Sequence, residues 1–578
     1  MNPGLYQQMI NAVASRRKVL KGAAGAVALG VAGGSRRGAA AQDGVRAQIL
    51  AIPGVGTRQP TDEDMQQVGE LVLEPTKANV AEGEFAGVTL TFMGLNNQNQ
   101  HNFIFRPLLR AWEAYTGAKI EWIDLSQADY NARLQQTIAT GTIDFDVVAM
   151  GAPYEGDVLG KGLASAMPDW VATQIEIDDY VDYLKPPVGT WDGVTYRVSI
   201  DGDAHNMNYR TDVFSDEGLA GEWEAAGNTT PWGVPRTFQQ VQAVSAFLKG
   251  KKDPLTDQDL YGWLDVYAPW GGFGWYFFAS RATAYAKHPD DVAWLFDPDT
   301  MKPRINNPAF VRAIQDIKDN LPNAPADQIN ADGNTTGFSE FLTGVGSMCA
   351  WWGDVGSNAK TNDTSLIGDV VGFDILPGSD DVYNAATGAW DTLAEGPNFA
   401  PNNAYIGWGV YVMSSVDADP ARQKAAWSLA AHLGGKDVSL WMAAYPSGYQ
   451  PYRNSQFDVS EWTAAGYDEA FITGYLNSEA NSYNHPNAAI EPRIPGIFQY
   501  YSAAEEELAL GYADPNIAAQ TVGDAIVARW EAITDQLGRE NQIALYQASL
   551  GMGATPVASP EASPEASPMA SPEASPVA

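Results

Sequence analysis

The feature that most constrains this chain is the pattern between residues 85 and 150. Val88 to Met93 reads as a strand. An amide-rich loop, Asn96 to Asn102, follows it. Phe103 to Tyr115 has helical periodicity and stops at Thr116-Gly117. Lys119 to Ile123 is a second strand, Tyr130 to Ala139 a second helix ended by Thr140-Gly141, and Phe145 to Met150 a buried strand. A βαβαβ order dictates a mostly parallel sheet with helices on its faces. Ligands of such sheets gather beyond the carboxyl ends of the strands. That rim would carry Asn96, Asn97 and Asn99 together with Gly151 to Glu155, including Tyr154.

At 578 residues the chain is too long for one core, so two or more packed units are expected. Its net charge is −35, which disfavours nucleic acid and anionic membranes as partners. A single cysteine, Cys349, excludes a disulfide framework. The five histidines show no metal-ligand spacing, and no cofactor motif occurs, so neither metal nor cofactor is expected.

The ends of the chain read as export and spacer segments. Ser15-Arg16-Arg17-Lys18 precedes a mildly apolar run, Gly22 to Gly34, and then Ala39-Ala40-Ala41. This is the order of a twin-arginine signal with a cleavage site, over residues 1–41. The run is too short to anchor in a membrane, and no cysteine follows it to take a lipid. Residues 42–84 form an extension in which Thr61 caps a helix and Pro75 ends it. Residues 553–578 repeat Ala-Ser-Pro-Glu, a composition that builds no core and suits an extended, disordered tail.

Two inner stretches suggest a ligand cleft. Thr190 to Phe214 reads as a pair of strands interrupted by Asp201-Gly202-Asp203-Ala204-His205-Asn206, a poor core segment and a plausible crossing between two lobes. Tyr261 to Phe278 is dense in rings with interleaved glycines. Most of these rings should pack a core. Trp270 and Trp275 are the first candidates to line a cleft, because flat rings cover the C–H faces of sugars. Trp351, Trp352 and Asp354, around Gly353 and Gly356, fit a second crossing.

Several motifs, in order, are similar to family 1 extracellular solute-binding proteins of ABC transporters, the maltose-binding type. They are Tyr115 to Ile120, Asp144 to Val148, Asp192 to Tyr196, Tyr209 to Phe214, Pro235 to Val241, Phe341 to Met348, Ile375 to Gly378 and Gly407 to Val410. The resemblance covers roughly residues 85–545. Arg210 stands where those proteins carry asparagine.

The resemblance implies an α/β, two-lobe periplasmic-binding-protein fold of type II. Lobe 1 would hold residues 85–205 and 354–413, and lobe 2 residues 206–353 and 414–545, with a third crossover near Ser414. Phe373 to Pro377 would return to the first sheet. Asp203, six residues before Tyr209, would bind sugar, with His205 beside it. Arg493 lies in the Glu491 to Tyr501 segment that leads into a helix, and Tyr500 or Tyr501 would stack on the ligand. The expected function is capture of a neutral sugar or polyol by a monomer, for delivery to a permease. A secreted carbohydrate-active enzyme using Asp201 and Asp203, or a surface adhesion protein, are the alternatives. Side chains two apart on a strand lie about 7 Å apart on one face, which suits neither side of a scissile bond.

Overall fold

The computed structural model describes residues 39–52, 58–96, 101–333, 335, 339–445 and 448–552. The twin-arginine segment, Asn97, Asn99 and the Pro/Ser tail lie outside them. The chain divides into two units, Met1–Gly44 and Val45–Ala578. Within the first, Ala39 to Gly44 are helical. All that follows concerns the second. Among the described residues no helix is long and apolar enough to cross a membrane.

The opening helix α1 (Asp62–Leu71) starts on a reciprocal Thr61–Asp64 capping box. Pro75 sits in the first turn of a further short helix, Glu74–Lys77, where its missing N–H has no intrahelical partner to lose. The expected βαβαβ follows: β1 (Thr89–Leu95), β2 (Lys119–Leu125) and β3 (Val147–Gly151) are parallel. The single helix read over 103–115 is two, α2 (Asn102–Leu108) and α3 (Arg110–Thr116). Pro107 lies inside the first and removes one backbone donor. Helix α4 (Gln127–Thr140) is capped by Ser126 and ended by left-handed Gly141.

Two five-stranded sheets organise the unit. The first runs β2-β1-β3-β10-β4, where β4 is Arg197–Ser199 and β10 is Trp408–Val412, both antiparallel to their neighbours. The second runs β9-β5-β8-β7-β6, from β5 (His205–Arg210), β6 (Lys251–Lys252), β7 (Asp259–Leu264), β8 (Gly346–Trp352) and β9 (Val371–Ile375). Every residue of β3, β8 and β10 is buried, as strands covered on both faces must be. Helices α5 (Phe238–Leu248), α6 (Gly274–Ala286), α7 (Pro308–Asn320), α10 (Ile497–Ala513) and α11 (Ala519–Gln536) layer on the second sheet and on one another. Residues 200–204 carry the chain from the first sheet to the second.

Two segments lie elsewhere than expected. Phe373 to Ile375 belong to the second sheet, where β9 pairs antiparallel with β5. The chain also stays on the first sheet after Ser414. Helix α8 (Pro420–Leu433) packs on β10 and β1. Ser415 Oγ bonds the Phe145 carbonyl at 3.2 Å, and Arg422 pairs with Asp146 at 2.8 Å. The return to the second sheet comes with α9 (Glu469–Tyr483), which packs on β9 and β5. Periodicity marks a strand or a helix but not its sheet.

Arg210, the departure from the family pattern, is a structural ion pair. Its guanidinium is fully buried, 2.6 Å from both Asp253 and Asp212. Removing one partner strands a buried charge. Arg210→Met is expected to lower the free energy of unfolding by about 3–5 kcal/mol, measured by chemical denaturation.

Candidate functional site

The crossing at 200–204 brings four carboxylates to the seam between the sheets. Asp201 and Asp203 lie on the crossing itself, Asp354 just beyond the end of β8, and Glu479 on α9. All are buried. Gln450 joins Asp201, Asp203 and the backbone of Asp354. Its backbone N–H donates to Asp201 Oδ1 at 2.6 Å. With the amide turned to match its surroundings, Nε2 donates to Asp203 Oδ1 (2.6 Å) and Asp201 Oδ1 (3.0 Å), while Oε1 accepts from the Asp354 N–H (2.9 Å). Glu479 Oε1 accepts from Asn206 Nδ2 at 2.9 Å. The Tyr183 hydroxyl accepts from the Asp203 N–H at 2.8 Å. A Cβ at position 353 would stand 1.7 Å from Glu479 Oε1, so only glycine lets that carboxylate reach the seam.

Burial sets the electrostatics here. It pushes Asp201 and Asp203 well above the usual carboxylate range; for Asp203 the neighbouring carboxylates Asp201, Asp354 and Glu479 add to it. Burial also moves Asp354 up to about 7 and Glu479 up to about 8. Arg197 pulls the two crossing aspartates the other way, but its Nη2 serves the carbonyls of Ile406, Gly407 and Trp408.

Aromatic rings wall the seam. Trp351 donates its indole N–H to Asp354 Oδ1 at 2.8 Å. Half-buried Trp270 stacks on Trp351, with centroids 6.2 Å apart. His205 meets Trp352 edge-on at 4.3 Å and bonds Ser280 Oγ through Nδ1 at 2.7 Å. Its burial drives the imidazole down to about 3, so it is neutral. Phe273 links Trp352 to Phe498, and Phe498 stacks on Tyr154 at 4.5 Å.

The residues expected at a site therefore divide. Asp203, His205, Trp270, Trp351, Trp352 and Asp354 come together, and Tyr154 joins through the ring chain. Trp275 and Tyr500 sit inside the helical layer. Trp275 stacks on Tyr501 at 5.2 Å, and Tyr500 packs on Trp530 and bonds Thr534. Glu155 and Arg493 pair with each other at 2.9 Å, and the Tyr411 hydroxyl and the Gly189 N–H also bond Glu155. Arg493 lines a separate recess of about 120 Å³ between the 190–195 hairpin and the helix Arg539–Ser549. Asn96 is exposed at the end of β1.

Gln450 and Glu479 were not singled out in the sequence. Glu479 had a signal: it occupies the stripe Ile472, Tyr475, Leu476, Tyr483, where an apolar residue belongs. Gln450 had none, because its role depends on a loop meeting the crossing.

The family model described as bacterial extracellular solute-binding protein matches residues 108–467. The chain belongs to that family, as its ordered motifs led one to expect. Solved structures share the two-lobe fold. An ABC transporter solute-binding protein from Agrobacterium radiobacter K84, in complex with ribitol, is 20% identical with a TM-score of 0.60, covering 78% of this chain and 99% of that one. One from Agrobacterium vitis S4, with bound D-mannitol, is 18% identical with a TM-score of 0.55 and the same coverage. Maltose-bound MalE3 of T. maritima is 16% identical with a TM-score of 0.57, covering 77% and 100%. No curated protein sequence matches the chain.

The raised Glu479 carboxyl links stability to pH. Its folded value of about 8 exceeds its ordinary 4.5, so it favours the folded state fully below about pH 4.5. That contribution fades as the pH rises towards 8. The ligand-free protein is expected to lose more of its melting temperature between pH 5 and 8.5 than Glu479→Gln does, measured by calorimetry of both.

Proposed function

We propose that this protein captures a sugar or polyol at the seam between its two sheets and delivers it to an ABC permease. The observation that carries this reading is the convergence of four buried carboxylates and a tryptophan wall where the chain crosses between sheets. Carboxylates accept hydroxyl hydrogen bonds strongly, and flat rings cover the apolar faces of the same molecule. The relatives crystallised with ribitol, D-mannitol and maltose support the same substrate class.

The lobes in this reading follow the sheets. Residues near 200–204, between β9 and β10, and between α8 and α9 form the crossings, and bending there closes the cleft. The protein is exported by the twin-arginine route, works as a monomer outside the cytoplasmic membrane, and hydrolyses nothing. Asp201 and Asp203 share one glutamine amide, which sets them side by side rather than across a bond.

A thermal-shift screen of ribitol, mannitol, tagatose and maltose tests the reading, and an oligosaccharide incubated with the protein should remain intact by mass spectrometry. Asp203→Ala and Trp270→Ala are each expected to weaken the best ligand about ten-fold, ~1.4 kcal/mol, by isothermal titration. Unchanged affinity in both variants would move the site elsewhere.

A further inference from the structure

If the seam holds the solute, as proposed above, its charge constrains what that solute is. Among the described residues, several buried carboxylates elsewhere have a cation. Asp146, Glu155, Asp253 and Asp265 lie 2.8, 2.9, 2.6 and 3.1 Å from the guanidinium groups of Arg422, Arg493, Arg210 and Arg281. Other buried acids stand singly on polar donors: Asp157 on the Gly496 N–H, Glu491 on the Tyr276 hydroxyl, Glu505 on the Gly272 and Gly274 N–H groups.

The seam is different. Four carboxylates lie near one another, two of them on one glutamine, and the groups that face them are mostly neutral: Gln450, Asn206, Trp351 and the phenols of Tyr183, Tyr475 and Tyr483. Asp201 Oδ2 is buried and meets no donor. The cation whose field reaches the crossing aspartates, Arg197, is engaged with three carbonyls and stands 3.7 Å from Glu155. Burying carboxylates without a counter-charge is unfavourable, and a cation delivered by the ligand removes that cost. Trp270 and Trp351 add ring faces that attract a cation. Among the described residues no three His, Cys, Asp or Glu side chains are grouped to hold a metal ion, whereas an ammonium group needs only acceptors spread around it.

We propose that the solute carries a protonated nitrogen seated among Asp201, Asp203, Asp354 and Glu479: an amino sugar or amino polyol rather than a neutral one. Burial shifts these carboxyls towards their protonated forms, so seating the cation draws protons off them and into the buffer.

The test is isothermal titration of the full chain with matched probes: D-glucitol against 1-amino-1-deoxy-D-glucitol, D-glucose against D-glucosamine, and 1,4-diaminobutane as an amine without hydroxyls. Titrations at pH 6 and 8, in phosphate and in Tris, measure proton release. The expected result is at least tenfold tighter binding of an amine probe than of its neutral twin, with protons released and affinity higher at pH 8. A neutral twin that binds as well or better, with no proton release, overturns the inference and leaves the sugar reading standing. Binding of the diamine alone supports the cation site and overturns the sugar reading. Binding of none overturns both.

Discussion

Taking carboxylates out of water is the constraint on which this structure turns. A buried ionised acid needs a cation, a set of donors or a proton. The protein uses all three. Arginines neutralise the acids that lock each half of the fold: Arg210 with Asp253 behind the second sheet, Arg281 with Asp265 beneath its helices, Arg493 with Glu155 on the first. Backbone N–H groups hold Glu505 against the loop before α6. At the crossing burial lifts four neighbouring carboxyls together. The fold thus separates acids paired with arginine from acids gathered among neutral polar groups.

Ring packing decides where that second group can be reached. The aromatic stretch from Tyr261 to Phe278 is mostly interior: α6 is buried from Gly274 to Tyr285, and its Trp275 closes against Tyr501 and Trp530. Trp270, outside the helix and half-buried, turns instead to Trp351. Two tryptophans five residues apart therefore do different work. One stabilises the helical layer, and the other stands beside the acids. Gly353 makes the same junction possible from the opposite direction, since any side chain there would displace Glu479.

Much of the fold was legible in the residues. The βαβαβ order, the Thr61 cap, and the Gly117 and Gly141 stops all depend on local geometry that a short window contains. About half of the expected site came together as well, because Asp203, His205, Trp351, Trp352 and Asp354 lie at strand ends that periodicity can locate. The misplaced segments failed for one reason. An apolar strand such as Phe373 to Ile375 satisfies its backbone equally on either sheet, and α8 could cover either face. The Pro107 break and the Glu155–Arg493 pair escaped for a related reason: the first depends on how a helix start is supported, the second on two loops meeting.

By itself, then, the sequence determined the alternation of strands and helices, the acidic crossing at 200–204 and the family to which its motifs belong. Each is written in residues close along the chain, where spacing alone fixes geometry. Tertiary structure decided which sheet received β9 and α8, which tryptophan was sealed in, and which acids found an arginine. Those outcomes depend on desolvation and packing between residues hundreds of positions apart, and no local pattern encodes them.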